Sequence, residues 1–358
     1  MEQSELLAVI ERAGQDGSPE LNLADQGIDH LPPEIGNLSH LYELDLQDNS
    51  LQTLPVEIGN LRSLKGLHLC GNDGLTVLPR EIFSLTSLRD LSLPGYDTAV
   101  PPEISNLTNL EELHIGPGPL KTLPPEIGNL PNLSALNVWA TLLEKLPPEI
   151  GNLSNLKRLG LWNISFTPVD ALPSEIGRLR NLTSLFICGH KLTHLPPEIG
   201  DLCNLTELSL IGSGPAALPA EIGRLKKLEK LHIAGWNFTV LPPEIGELTN
   251  LKKLILINTP VRELPAEIGN LTELEELRIH SLPLETLPAE IGDLTNLKEL
   301  NIAGVPLKTL PAEIGKLSKL TKLTIRKADH QRLRTYIKQF PNLETLYFSP
   351  DPVRPTAN

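Results

Sequence analysis

Residues 123–138 read LPPEIGNLPNLSALNV, and residues 195–210 repeat the word as LPPEIGDLCNLTELSL. The second half, L-x-x-L-x-L, alternates apolar and variable positions, which suits a short strand with its leucines on one side. In the first half, Pro sits where a missing N–H costs nothing and Glu follows two places later, as at the start of a short helix. Aligned on the second leucine of the strand motif, the word recurs fifteen times from Leu21 to Leu346, and twelve of the fourteen steps are 22 or 23 residues. One unit of that length cannot bury its own leucines, so neighbours must stack and share a continuous core. The period therefore predicts an α/β solenoid, a horseshoe. A parallel sheet of about fifteen short strands lines its concave face, and short helices or turns form its convex face. At ~4.8 Å per strand the inner face is on the order of 70 Å long, the scale of a protein partner.

Working outward, the ends depart from the word. Leu6, Leu7, Ile10 and Ala13 fall at helical spacing, which predicts a capping helix over residues 1–17 before a solenoid over 18–327. Over 328–349 the motif gives way to QRLRTYIKQF, where Leu333, Tyr336, Ile337 and Phe340 make an apolar stripe, and then to a last strand over 343–348. Residues 350–358 read as a flexible tail. With both ends closed, a complete chain is expected.

Composition narrows the function. The 31 Lys and Arg against 44 Asp and Glu leave a net charge of -13, which disfavours a nucleic-acid backbone or an anionic membrane as the main partner. Thirteen Pro-x-Glu-Ile words, from Glu34 to Glu313, lay an acidic ladder along the convex face. Cys70, Cys188 and Cys203 show no zinc or disulfide spacing, which points to a reducing compartment. The N-terminus lacks the basic start and apolar core of a signal peptide, and no apolar stretch of about 18 residues exists to span a bilayer. A cytoplasmic location follows. Sequons such as Asn37-Leu-Ser and Asn181-Leu-Thr fall out of the repeated NLS and NLT words and are expected to stay bare.

The unit L-P-P-E-I-G-N-L-x-N-L-x-x-L-x-L resembles intracellular leucine-rich-repeat proteins: animal Ras-pathway scaffolds, plant Ras-group-related and disease-resistance repeats, and bacterial repeat proteins including type III effectors. The resemblance covers roughly residues 20–348. It implies cytoplasmic protein binding and transfers no catalytic residue. One departure is evident. The turn asparagine of such repeats stands at Asn49 and Asn72, but later copies carry Tyr96, Gly118, Thr141, Ile164, His190, Ser213, Trp236, Thr259, Leu282 and Val305. Buried backbone groups there need other partners.

Between the core leucines, side chains face the inside of the arc. Early strands place Glu20, Glu43, Asp45, Asp48, Asp90 and Glu112 there. Late strands place Lys230, Lys253, Arg278, Lys322, Arg326 and Lys327 there, diluted by Glu276 and Glu299. Between these poles the slot after the last core residue runs Trp139, Trp162, Cys188, Ile211, Ala234, Ile257, with Phe186 and Ile255 on the neighbouring row and Trp236 expected to extend the strip. Tryptophans on adjacent strands flanked by charge suit a binding hot spot, and the partner-binding set is Trp139, Trp162, Phe186, Ile211, Trp236, Ile255, Ile257, Lys253 and Arg278. The competing reading has these side chains folding down to shield the sheet.

Pro94-Gly95-Tyr96-Asp97 and Gly116-Pro117-Gly118-Pro119 predict a local bend, and a three-residue insertion near 166–170 lengthens one turn. His68 and His114, with Ser92 between them, sit too openly for a metal site, and no phosphate-cradling loop appears. No metal, cofactor or catalytic residue is assigned. The sequence supports a monomeric, non-catalytic scaffold for a protein or peptide partner, with no nucleic acid and no membrane span. The alternatives are a bacterial effector acting on host signalling or the ubiquitin pathway, and a structural or self-associating repeat protein.

Overall fold

The computed structural model describes residues 1–95, 100–140, 142–162 and 171–349. The insertion at 166–170, the tail at 350–358 and the turn positions Tyr96, Thr141 and Ile164 lie outside them. The chain forms two compact units, Met1–Leu182 and Thr183–Asn358.

In the first unit, helix α1 (Gln3–Asp16) buries Leu6, Ile10 and Ala13. The strands that follow are β1 (Glu20–Asn22), β2 (Glu43–Asp45), β3 (Gly66–His68), β4 (Asp90–Leu93), β5 (Glu112–Gly118), β6 (Ala135–Ala140) and β7 (Arg158–Trp162). They pair in chain order, all parallel, with Leu21, Leu44, Leu67, Leu91, Leu113, Leu136 and Leu159 in register. The second unit holds β8 (Ser184–Lys191), β9 (Glu207–Ser213), β10 (Lys230–Ala234), β11 (Lys253–Ile257), β12 (Glu276–His280), β13 (Glu299–Asn301), β14 (Lys322–Arg326) and β15 (Thr345–Ser349). These are again parallel, with Leu185, Leu208, Leu231, Leu254, Leu277, Leu300, Leu323 and Leu346 in register. Helix α2 (His330–Ile337) precedes β15, and Leu333 and Phe340 are buried while Tyr336 and Ile337 are half-buried. The leucines that define the sequence period are thus the register leucines of a leucine-rich-repeat solenoid.

Between strands, each P-x-E-I-G word forms a five-residue 3-10 helix with its isoleucine fully buried, as at Pro125–Asn129 around Ile127. Its glycine is a packing requirement. A Cβ on Gly128 would stand 2.3 Å from the Glu149 carbonyl oxygen of the next repeat, so the 3-10 helices stack backbone to backbone. A second asparagine, in the N-L-x-N-L part of the word, adds a ladder of its own. Asn109, Asn132 and Asn155 donate to the carbonyls of Thr86, Thr108 and Pro131 one repeat earlier, at 2.8, 2.9 and 2.7 Å. Sequence reasoning missed this ladder, although its signal was the recurrence of that asparagine before a leucine in most, though not all, of the repeats.

Among the described residues the turn after a strand is solved in more than one way. Asn49 donates to Leu23 O and Leu46 O and accepts from the N–H groups of Gln26 and Ile28. Asn72 donates to Leu46 O and Leu69 O at 2.9 Å each and accepts from Leu51 N–H. Where the asparagine is lost at Gly118 and Ser213, the strands lengthen instead. β5 runs seven residues through Gly116 and Pro117, with a register shift before Gly118 pairs Ala140, and β9 also runs seven. The breakers at 116–119 therefore give a bulge rather than an end to the strand.

Candidate functional site

The lengthened strands create the apolar platform of the first unit. Trp139 and Trp162 are register partners on β6 and β7, one position beyond the last core residue. Their rings stack with centroids 5.1 Å apart and 16° between planes. Trp139 is 42% exposed and Trp162 half-buried, so neither has folded into the core. Gly160 makes room for this arrangement: a Cβ there would lie 2.7 Å from Trp162 Nε1 and 2.3 Å from Asn137 Oδ1.

Beside the platform lies a cavity of about 610 Å³ whose walls include Asp48, Cys70, Asp90, His114, Pro117 and Trp139. A row of polar groups crosses its strands. His68 joins Glu43 through Nε2 and Ser92 Oγ through Nδ1 at 3.3 Å. His114 approaches Glu112 at 3.5 Å and Asn137 at 3.2 Å, and Arg158 pairs with Glu112 at 3.0 Å. Glu43, His68 and Ser92 follow the order that activates a hydroxyl nucleophile, yet Ser92 is only 7% exposed. The strands on either side are tied into the parallel ladder. Cys70 donates to Leu93 O at 3.1 Å. Burial, reinforced by the charge of Asp48, pushes its thiol up to about 11, so it stays protonated and weakly nucleophilic. Asp90 is also held above the ordinary carboxylate range, by burial first and by Glu112 and Glu43, against the opposing pull of His68 and His114. Among the described residues no three His, Cys, Asp or Glu side chains converge as metal ligands, and no helix is long and apolar enough to cross a membrane.

In the second unit, Phe186, Ile211, Ile255 and Ile257 are half-buried on the sheet face away from the core. A smaller cavity of about 260 Å³ is walled by Phe186, Ser209, Lys230, His232, Lys253 and Ile255. Burial, followed by the Lys253 charge, holds the His232 imidazole below its ordinary pKa.

Two expectations need correction. Trp236 does not extend the strip: at 2% exposure it is core. It fills the turn slot that asparagine occupies elsewhere, its ring lying where a Cβ on Gly214 would come within 2.1 Å. An indole at that slot gains more by burial than by contact with solvent. The basic pole is also not a bare one. Lys253 pairs with Glu276 at 2.9 Å, and Arg278 pairs with both Glu276 and Glu299, the latter at 3.0 Å. Lys230 faces Glu207 at 3.8 Å and Arg326 binds Asp329 at 2.9 Å. The "dilution" by Glu276 and Glu299 is in fact a neutralising network, which a count of charges along the chain does not reveal.

A family model described as a leucine-rich repeat region matches residues 20–118 and 198–283. The chain belongs to the leucine-rich-repeat family. Among solved structures it is similar to a leucine-rich-repeat protein of Leptospira interrogans, with 34% identity over 96% of this chain and 94% of that one and a TM-score of 0.73. It is also similar to a plant peptide hormone receptor in complex with RGF2, at 28% identity and a TM-score of 0.69, covering 90% of this chain but only 53% of the receptor chain. An internalin of Listeria monocytogenes shares the fold, with a TM-score of 0.66 at 17% identity over 97% of this chain and 94% of that one. No curated protein matches the chain.

Proposed function

We propose that the chain is a non-catalytic protein-binding module that holds an extended segment of a partner on the face of its sheet away from the core. The observation that carries this reading is the stacked, solvent-facing pair Trp139–Trp162. Two large apolar rings kept in water beside a cavity are costly unless something covers them, and Trp is the side chain most enriched where binding energy concentrates. The receptor similar to this chain is a peptide hormone receptor seen in complex with RGF2, which supports a peptide or protein as the ligand class. Within the second unit, Phe186, Ile211, Ile255 and Ile257 form an apolar patch of their own for partner contact, beside Lys253 and Arg278 in their ion pairs with Glu276 and Glu299. In this reading the module acts as a monomer in the cytoplasm, where Cys70, Cys188 and Cys203 remain free thiols.

The test uses peptides selected by the full chain from a random displayed library. Truncating one hot-spot aromatic costs about 2 kcal/mol or more. Trp139→Ala with Trp162→Ala is therefore expected to weaken those peptides at least about ten-fold while the melting temperature holds. Unchanged affinity in the folded double variant rejects the platform as the binding site.

A further inference from the structure

The sheet face of the first unit is charged on one side of the ledger only. Its outward strand positions carry Glu20, Glu43, Asp45, Asp90 and Glu112, with Asp48 at the turn after β2. The one Lys or Arg at those positions is Arg158, and Glu112 already holds it. Glu43 is likewise engaged by His68. Asp48 and Asp90 differ. Both wall the 610 Å³ cavity, and among the described residues neither carboxylate forms a hydrogen bond or an ion pair with another side chain. Asp90 Oδ1 is buried there without a hydrogen-bond partner, an arrangement that costs free energy for as long as it lasts. Trp139, whose π face attracts cations, closes the same cavity.

Resting on the reading above, we infer that the partner segment is basic, and that it places an arginine or lysine side chain in the cavity walled by Asp48 and Asp90 while its neighbouring residue lies on the Trp139–Trp162 platform. Three properties of the site meet in this assignment. The cavity volume falls in the range of about 300–1,000 Å³ that accepts discrete groups. The two carboxylates supply acceptors for a donor-only cation, and arginine in particular matches carboxylates with a planar fork and stacks on aromatic faces. The surrounding acidic positions favour approach of a positive segment and repel a negative one. The raised pKa of Asp90 agrees with a carboxylate partly buried among other acids, where burial and the charges of Glu112 and Glu43 outweigh the pull of His68 and His114.

The same peptide selection decides the point. Selected peptides are expected to be enriched in arginine and lysine, to lose at least ten-fold in affinity against the Asp48→Asn/Asp90→Asn variant, and to lose affinity when a peptide arginine is replaced by its neutral isostere citrulline. Both asparagines preserve shape, and Asn tolerates the left-handed backbone of Asp48, φ 53°, so the variant is expected to fold. Peptides that need Trp139 and Trp162 but are neutral or acidic, or that bind the double asparagine variant equally well, overturn the basic-segment assignment and leave the platform standing. Peptides indifferent to the tryptophans, or no enrichment at all, overturn both.

Discussion

The repeats that keep the turn asparagine and those that have lost it form the same backbone turn by different chemistry. At Asp48 and Gly71, immediately before Asn49 and Asn72, the backbone is left-handed, with φ of 53° and 73°. Gly235, Asn258, Ser281 and Gly304 are left-handed at the equivalent place, with φ between 52° and 77°, before Trp236, Thr259, Leu282 and Val305. The turn is therefore preserved while its plug changes from a hydrogen-bonding amide to a side chain buried to 2% exposure or less. A third group, which includes β5 and β9, gives up the tight turn and lengthens the strand. β6, whose partner β5 is of this kind, carries Trp139, so the stacked tryptophan platform appears where the asparagine rule is broken.

The largest test of this comparison removes an apolar plug. Trp236→Ala leaves a cavity over Gly214 and is expected to cost about 3–5 kcal/mol, read as a shift of the denaturant midpoint. A loss under about 1 kcal/mol would mean that the indole merely covers a turn held by other means. Next comes the polar plug. Asn72 is 0% exposed, and Asn72→Leu strands the Leu69 carbonyl and the Leu51 N–H, while Leu46 O keeps its bond from Asn49, an expected loss of about 2–3 kcal/mol. If leucine is tolerated without cost, the two plugs are interchangeable and the comparison collapses.

The smallest effect belongs to Asp90, on the strand between the two kinds of repeat. Its folded pKa is raised, so the folded state binds more protons than the unfolded chain in the window just above the ordinary carboxylate value of 3.8. Ionised Asp90 thus lowers stability at neutral pH, and that penalty fades as pH falls through its raised pKa. Asp90→Asn is expected to raise the melting temperature slightly at pH 7, with the gain shrinking toward pH 4. A gain that grows on acidification contradicts the burial argument.

Much of this was legible in the chain. The spacing of fifteen leucines identifies strand number, direction and register, because a unit too short to bury itself must repeat its neighbour's geometry. The adjacency of Trp139 and Trp162 follows from the same spacing, since register places equal positions side by side. Residues that depart from the word were harder to read. Trp236 and Trp162 look alike as exceptions in a leucine-rich pattern, yet one is core and the other faces outward, because the first occupies a turn slot opened by Gly214 and the second a strand slot opened by Gly160.

What the sequence by itself determined is the repeat, its parallel pairing and the apolar character of the outward row, all consequences of periodicity. Only the tertiary structure decided which charges remain unpaired. Lys253 and Arg278 are neutralised by nearby glutamates, whereas among the described residues Asp48 and Asp90 line a cavity without a hydrogen bond or ion pair to another side chain, and Coulomb energies depend on distances across strands that no linear spacing records.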